Sequence, residues 1–169
     1  LTVINACTRT ESLNQYVDPN IGTTHCRWFF YTPAAVPFGM AKLGPSTDAH
    51  YGNLHGREAV GYDSRHTSIE GFANFHEFQV GGVVMAPTVG KLQTIPGKLE
   101  NPDEGYRSRF DKKNEYATSG YYSVLLSDYN VKAELTATKR VGFQRYTFPE
   151  SNESNIIFDI GNKQGESVK

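Results

Sequence analysis

The sequence predicts an all-β fold, an antiparallel two-sheet β-sandwich with few or no long helices, and three observations carry that expectation. The second half breaks into short apolar runs bounded by Gly, Pro, Asn and Asp, the turn residues. Ten Tyr and ten Phe raise the aromatic share to 12%, which suits pleated, half-buried surfaces. No window supports a helix longer than two turns, and no repeat of about 20–50 residues is visible. At 169 residues the chain is long enough for one domain with a real core.

Taken in order, residues 1–15 read as a signal remnant and a flexible tether, polar from Thr8 to Gln15, and residues 16–169 as the sandwich. Order is expected to begin at "YVDPNIGT". The stretch "YTPAAVPFGMAKLGPST", from Tyr31 to Thr47, is too broken for a helix and too apolar for an ordinary solvent loop. Pro fixes φ and Gly admits another backbone closely, so it reads as a rigid wall. "GGVVMAPTVGKL" from Gly81 is a strand bounded by Gly and Pro.

Four consecutive strands follow between Gly120 and Asn162. In "VKAELTAT", Val131, Ala133, Leu135 and Ala137 alternate with Lys132, Glu134, Thr136 and Thr138, placing one face on a core and one in water. "SDYN", "TKR" and "PESNESN" supply turns, so the four strands are expected to pair as a meander. In "RVGFQRYTF" the apolar parity slips between Phe143 and Tyr146, which calls for a bulge near Arg145 or burial of both faces.

A net charge of −1 with a pI near 6.6 offers no basic field, so nucleic acid is not an expected partner. No run of about 18 apolar residues is present, so no helical membrane span is expected. Gly-rich phosphate loops, HExxH and GxSxG are absent from the sequence. Cys7 and Cys26 show no metal or redox spacing. "LTVINACTRTES" turns abruptly polar after Cys7, like the end of a bacterial lipoprotein signal peptide. That reading places the protein in the periplasm or on the cell surface, with a lipid on Cys7 as its one membrane link; the other reading is an unpaired cysteine near an arbitrary start.

His25, His50, His55, His66 and His76 lack the spacing of metal ligands, so no metal site is expected in the chain. Asp63, Glu70 and Glu77 read as solvated or capping residues, since sequence spacing cannot hold two carboxyls across one glycosidic bond. Trp28, the single tryptophan, follows His25 and Arg27 and precedes three aromatics. Aromatic faces stack on the C–H face of sugars while Arg, His and Asn bond their hydroxyls. A second irregular region, from Gly61, adds Tyr62, Phe72, Asn74, Phe75 and His76. The candidate substrate-binding set is therefore Trp28, His25, Arg27, Tyr62, Phe72 and His76.

Several of these segments, "YVDPNIGT", "AAVPFGMAKLGPST", "GYDSRHTSIEGFANFH", "MAPTVG" and above all "SGYYSVLLSDYNVKAELTATKRVGFQRYTFP", resemble in unbroken order the N-terminal domain of glycoside hydrolase family 92. The resemblance implies bacterial, exo-acting, inverting, calcium-dependent α-mannosidases that cut terminal α-mannosidic bonds of glycans. It further implies an N-terminal sandwich packed against a C-terminal (α/α)6 barrel, with the active site between them. The general acid, general base and calcium ligands would belong to that C-terminal domain, so no catalytic residue and no calcium ligand is expected in this chain, and the chain by itself is expected to be inactive. Its partners would be a mannose-containing glycan and the catalytic domain of the same polypeptide. A stand-alone carbohydrate-binding or purely structural sandwich of an exported lipoprotein is the alternative.

The chain also departs from the family pattern. Members usually carry an aromatic where Asn20 stands, a Gly-rich, His-containing loop in place of "TTHCRWFFYT", and Gly-Phe-Ser-His-Thr-His where this chain reads "GFANFH". Gly71, Phe72 and His76 match; Ala73, Asn74 and Phe75 do not. Linkage and sugar specificity are left open by these differences. A domain that buries one side against a barrel is also expected to expose an apolar patch near Trp28, Phe29, Phe30, Tyr31, Phe75 and Phe78, with Trp28 and His76 in one concave region.

Overall fold

The computed structural model describes residues 12–24, 31–52, 61–74, 76–77, 80–81 and 83–162, with 51–52, 76–77 and 80–81 described as backbone. Alternating or continuous apolar runs in these segments form thirteen strands. They are β1 (Ala34–Ala35), β2 (Lys42–Ser46), β3 (Ser68–Ile69), β4 (Gly71–Ala73), β5 (His76–Glu77), β6 (Val80–Gly81), β7 (Val84–Val89), β8 (Ser108–Arg109), β9 (Glu115–Thr118), β10 (Tyr121–Leu126), β11 (Val131–Ala137), β12 (Gly142–Thr147) and β13 (Ser154–Asp159). Among the described residues the α-helical content is α1 (Ala49–Gly52), with three short 3-10 turns beside it. The all-β expectation holds.

Two antiparallel sheets make the sandwich. One has the order β1-β2-β4-β7-β13 and the other β12-β11-β10-β9. Ala34, Leu43 and Phe72 from the first meet Tyr122, Val124, Leu126, Val131, Ala133 and Leu135 from the second in one buried cluster. Stacking of the layers is fixed by side chains that cross between them. The Phe72 and Tyr146 rings lie 5.9 Å apart, and Gln144 Nε2 reaches Met85 Sδ at 3.8 Å, so β12 lies over β4 and β7. The outer face of β7 is covered instead by the segment Ile95–Arg107, whose Tyr106 hydroxyl donates to Asp159 Oδ2 at 2.6 Å.

The four strands expected near the C-terminal end are all present, but they are not one meander. β10, β11 and β12 pair in sequence, whereas β13 crosses to the other sheet and pairs with β7. The connection 148–153, opened by Pro149, is longer than a hairpin turn and spans the roughly 10 Å between stacked sheets. Neither explanation expected for the parity slip holds: the register runs unbroken from Lys132 opposite Thr147 to Ala137 opposite Gly142, so no bulge stands near Arg145, and Phe143 is exposed, so the two faces are not both buried. Gln144 and Tyr146 point inward while Phe143 and Arg145 point out, and the parity slip arises because this outer face bears an exposed ring of its own.

The wall segment behaves as its composition demands. β1 and β2 form a hairpin whose tip residue Phe38 sits at φ 58° and is exposed. A Cβ at Gly44 would overlap the carbonyl oxygen of Tyr31, so glycine is what lets β2 lie against the backbone of Tyr31 and Thr32. Tyr31 itself is 3% exposed and belongs to the core, which corrects its expected place in an exposed patch. Its ring is enclosed by Tyr62 and Tyr122, so it has no face left for solvent. The other five residues of that patch lie outside the residues whose side chains are described.

Candidate functional site

Three segments that show no regular periodicity converge beside the β9 and β10 edge. Asp18 to Thr23 forms a tight loop in which Asp18 Oδ1 accepts from the Asn20 amide at 2.8 Å. Asn20 Oδ1 in turn accepts from the Tyr31 hydroxyl at 2.8 Å, and the Ser64 amide donates to the Thr23 carbonyl at 3.3 Å. These bonds tie the N-terminal loop, the wall and the Gly61–Thr67 loop together.

Tyrosines form the centre of the junction. The Tyr31 and Tyr62 rings stack with centroids 4.1 Å apart, and Tyr122 meets Tyr31 edge-on at 6.2 Å. Glu115 Oε1 accepts from the hydroxyls of Tyr62 at 2.8 Å and Tyr122 at 2.7 Å. Lys112 Nζ donates to Glu115 Oε2 and to the Tyr62 hydroxyl, both at 2.9 Å, and sits over the Tyr62 and Phe110 rings. Burial and the negative charge of Glu115 push the Tyr31, Tyr62 and Tyr122 hydroxyls far above the ordinary tyrosine range. None of the three is a base or nucleophile at neutral pH; they are donors held in fixed positions. Against this cluster lies a cavity of about 230 Å³ lined by Val17, Pro19, Tyr31, Thr32, Pro33, Ala35 and Ser119.

A second polar network lies beneath the Gly61–Thr67 loop. Glu70 Oε1 accepts from Ser46 Oγ at 2.6 Å and from the Ala49 amide at 2.8 Å. Burial pushes the Glu70 carboxyl up, against the pull of the Ser46 hydrogen bond and the nearby Arg107 charge. Arg107 is itself buried and donates to Ser68 Oγ at 3.0 Å, to the Gly97 carbonyl at 3.1 Å and to the Thr47 carbonyl. Thr47 Oγ1 also bonds His66 Nδ1 at 2.8 Å. Asp63 grips Arg65 through Nε and Nη2; burial opposes ionisation, yet those bonds hold the carboxyl below its ordinary value.

Asp63 and Glu70, expected as solvated or capping residues, are both buried network members; Glu70 takes the capping role at α1, and neither is solvated. The signal for Glu70 was in the sequence: a lone carboxylate between Ile69 and Gly71-Phe72 stands in a run otherwise fit for a core. The roles of Glu115 and Lys112 had no such signal.

Of the six candidate substrate-binding residues, Tyr62 is 1% and Phe72 0% exposed, so both are packed interior residues with no open face in this chain. His76 lies in β5, its side chain not described. His25, Arg27 and Trp28 lie outside the described residues, in the segment that joins Thr24 to Tyr31. Among the described residues no group of three His, Cys, Asp or Glu side chains gathers to hold a metal ion.

Comparison with known proteins follows the same lines. The family model described as the glycosyl hydrolase family 92 N-terminal domain matches residues 16–169. The chain is similar to a family GH92 α-mannosidase from Bacteroides thetaiotaomicron solved in complex with mannoimidazole, at 35% identity and a TM-score of 0.84, covering 93% of this chain and 21% of that one. The GH92 glycosyl hydrolase ccman5 matches at 29% identity and a TM-score of 0.61, covering 86% of this chain and 20% of that one. A GH92 inverting mannosidase from Bacteroides thetaiotaomicron VPI-5482 shares the fold at 23% identity and a TM-score of 0.67, covering 88% and 19%. The chain therefore spans about a fifth of the length of these relatives. No curated protein sequence matches it.

Proposed function

Because the chain belongs to glycosyl hydrolase family 92, as its N-terminal domain, we propose that it serves as the non-catalytic sandwich of an α-mannosidase that hydrolyses terminal α-mannosidic bonds of glycans with inversion. The observation that carries this reading is the 35% identity, over 93% of the chain, to the α-mannosidase solved with mannoimidazole. In this reading the catalytic carboxylates and the calcium ligands come from the rest of the polypeptide, and the chain contributes one wall of the substrate cleft.

The tyrosine junction suits that part. A wall that positions a sugar must not shift when the sugar binds, and Tyr31, Tyr62, Tyr122, Glu115 and Lys112 lock three loops by stacking and charge-assisted bonds. His25, Arg27, Trp28 and His76 are the residues proposed to face the glycan, while Tyr62 and Phe72 are packed interior residues of the sandwich. Export to the periplasm or cell surface with a lipid on Cys7 belongs to the same proposal, and mass analysis of Cys7 in the native protein tests it.

The deciding experiment compares the polypeptide encoded by the complete gene with residues 1–169. With an α-mannoside and calcium, the complete polypeptide is expected to release mannose as the β-anomer and residues 1–169 to release none. Turnover by the short chain, or retention of the α-configuration by the long one, overturns the proposal. Within the complete polypeptide, Trp28→Ala is expected to raise KM about tenfold or more if its ring stacks on the sugar.

A further inference from the structure

The outer face of the four-stranded sheet carries chemistry that the tyrosine junction does not use. Neighbouring residues of a strand take opposite faces, so β10 turns Tyr122 inward to that junction and Tyr121 outward. Cross-strand partners share a face, so Tyr121, Thr136 and Phe143 form one row on the outside, and Glu134 stands opposite Arg145 in the next. These five residues help to line a cavity of about 400 Å³, within the span of about 300–1,000 Å³ that small-molecule sites occupy. With neighbouring strands about 4.8 Å apart, the backbones of Tyr121 and Phe143 lie about 10 Å from each other. Thr136, the small member of the row, floors the gap between the two rings.

Glu134 holds this face in shape. It points away from the core and is nevertheless only 8% exposed. Its Oε1 accepts from the Tyr121 hydroxyl at 2.6 Å and from Lys132 Nζ at 3.2 Å, and its Oε2 accepts from Arg145 Nε and Nη2, both at 2.8 Å. Two bonds on each oxygen saturate the carboxylate, so it orients its neighbours and leaves the ligand to them. Tyr121 directs its proton to Glu134, and Thr136 Oγ1 donates to the Gly120 carbonyl at 2.9 Å, so both oxygens keep lone pairs and act as acceptors. Arg145 grips Glu134 through Nε and Nη2, which leaves its Nη1 donors directed away from that carboxylate.

Two oriented acceptors, one paired donor and two rings select a class of ligand. A phosphate or carboxylate would set its oxygens against those of Tyr121 and Thr136, and an apolar peptide would strand every polar group on the face. A hydroxyl both donates and accepts. Vicinal hydroxyls of a pyranose therefore match the set, while its C–H face can lie on the Phe143 ring, which is 52% exposed.

We propose that the outer face of β10, β11 and β12 is a second glycan-binding site, which takes one neutral pyranose residue of a mannan chain between Tyr121 and Phe143 over Thr136, with Arg145 donating to its hydroxyls. The choice of mannose rests on the functional reading above; the choice of a neutral pyranose rests on this face alone. A polymer held at a second point keeps its chain ends at high local concentration around the enzyme.

Affinity electrophoresis of the polypeptide encoded by the complete gene, in native gels with and without α-mannan, tests it. Mannoimidazole, the compound with which a similar α-mannosidase was solved, is added to fill the proposed cleft. Under that block mannan is still expected to retard the protein. Phe143→Ala is expected to weaken the retention about tenfold and Phe143→Tyr to restore it, which separates a lost stacking ring from a lost fold. Tyr121→Phe keeps the ring, removes the acceptor, and is expected to weaken retention about threefold or more. Mannan that no longer retards the blocked protein, or that retards it and Phe143→Ala equally, overturns the inference. Mannose release from a small α-mannoside, measured in parallel without mannoimidazole, keeps the two readings apart. Release together with retention that ignores Phe143 removes this inference and leaves the functional reading standing; retention that depends on Phe143 without release does the reverse.

Discussion

Tyr62 donates its hydroxyl to Glu115 at 2.8 Å while accepting from Lys112 at 2.9 Å, so one phenol links the Gly61–Thr67 loop to β9 through both partners of an ion pair. Tyr62→Phe keeps the stack on Tyr31 but removes both bonds, and is expected to lower unfolding free energy by about 1–2 kcal/mol. Tyr62→Ala also empties a core position and is expected to cost about 3–5 kcal/mol. Urea titration of both variants checks the order; equal losses would mean the hydroxyl carries the whole effect.

Arg107 supports a different set of groups. Its guanidinium satisfies two backbone carbonyls and a serine hydroxyl beside the buried Glu70. Arg107→Leu strands all of them and leaves Glu70 without its neighbouring positive charge, so a loss of about 3–5 kcal/mol is expected. Arg107→Lys keeps the charge without the planar fork and should recover only part of that loss in the same titration.

Glu134 is one carboxylate through which acid should lower stability. Hydrogen bonds from Arg145 and Tyr121 lower its carboxyl from the ordinary 4.5 to about 2. A folded value below the unfolded one means that its stabilisation is complete above pH 4.5 and is lost as pH falls from there toward 2. Thermal melts across that window should show Tm falling, and Glu134→Gln should flatten part of the decline. An identical slope in the variant would assign acid sensitivity elsewhere, to the other carboxyls held low, Asp63, Asp103 and Asp111.

Gly44→Ala tests the wall. The added methyl would overlap the Tyr31 carbonyl, and since a Cβ fixed by its own backbone meets backbone, no rotamer relieves it. A loss of about 1–3 kcal/mol is expected. Gly22→Ala meets open space but sits at φ 85°, and is expected to cost less in the same denaturation assay.

Strand content was legible wherever one face met water and the other met the core. Val131, Ala133 and Leu135 alternate with Lys132 and Thr136 in the sequence as they do in space, but Glu134, expected in water, is buried on the outer face beneath its bonds from Tyr121 and Arg145. At β12 the rule failed because Val141 and Phe143 are apolar yet point outward, and hydrophobicity cannot report direction when both faces carry rings. Glu70 could have been suspected from its apolar neighbours. Glu115 could not, because its partners Tyr62 and Tyr122 reach it from distant parts of the chain.

The sequence by itself determined the fold class, the strands from β10 to β13 and the family, because each depends on neighbours along the chain or on ordered motifs. Only the tertiary structure decided that β13 leaves the meander, that Tyr31 and Tyr62 stack inside the protein, and that Tyr121 and Arg145 meet on Glu134 at one outer face. These depend on which distant segments share a volume. Period-2 alternation specifies which residues share a face of a strand, but what lies against that face is set by the packing of two whole sheets.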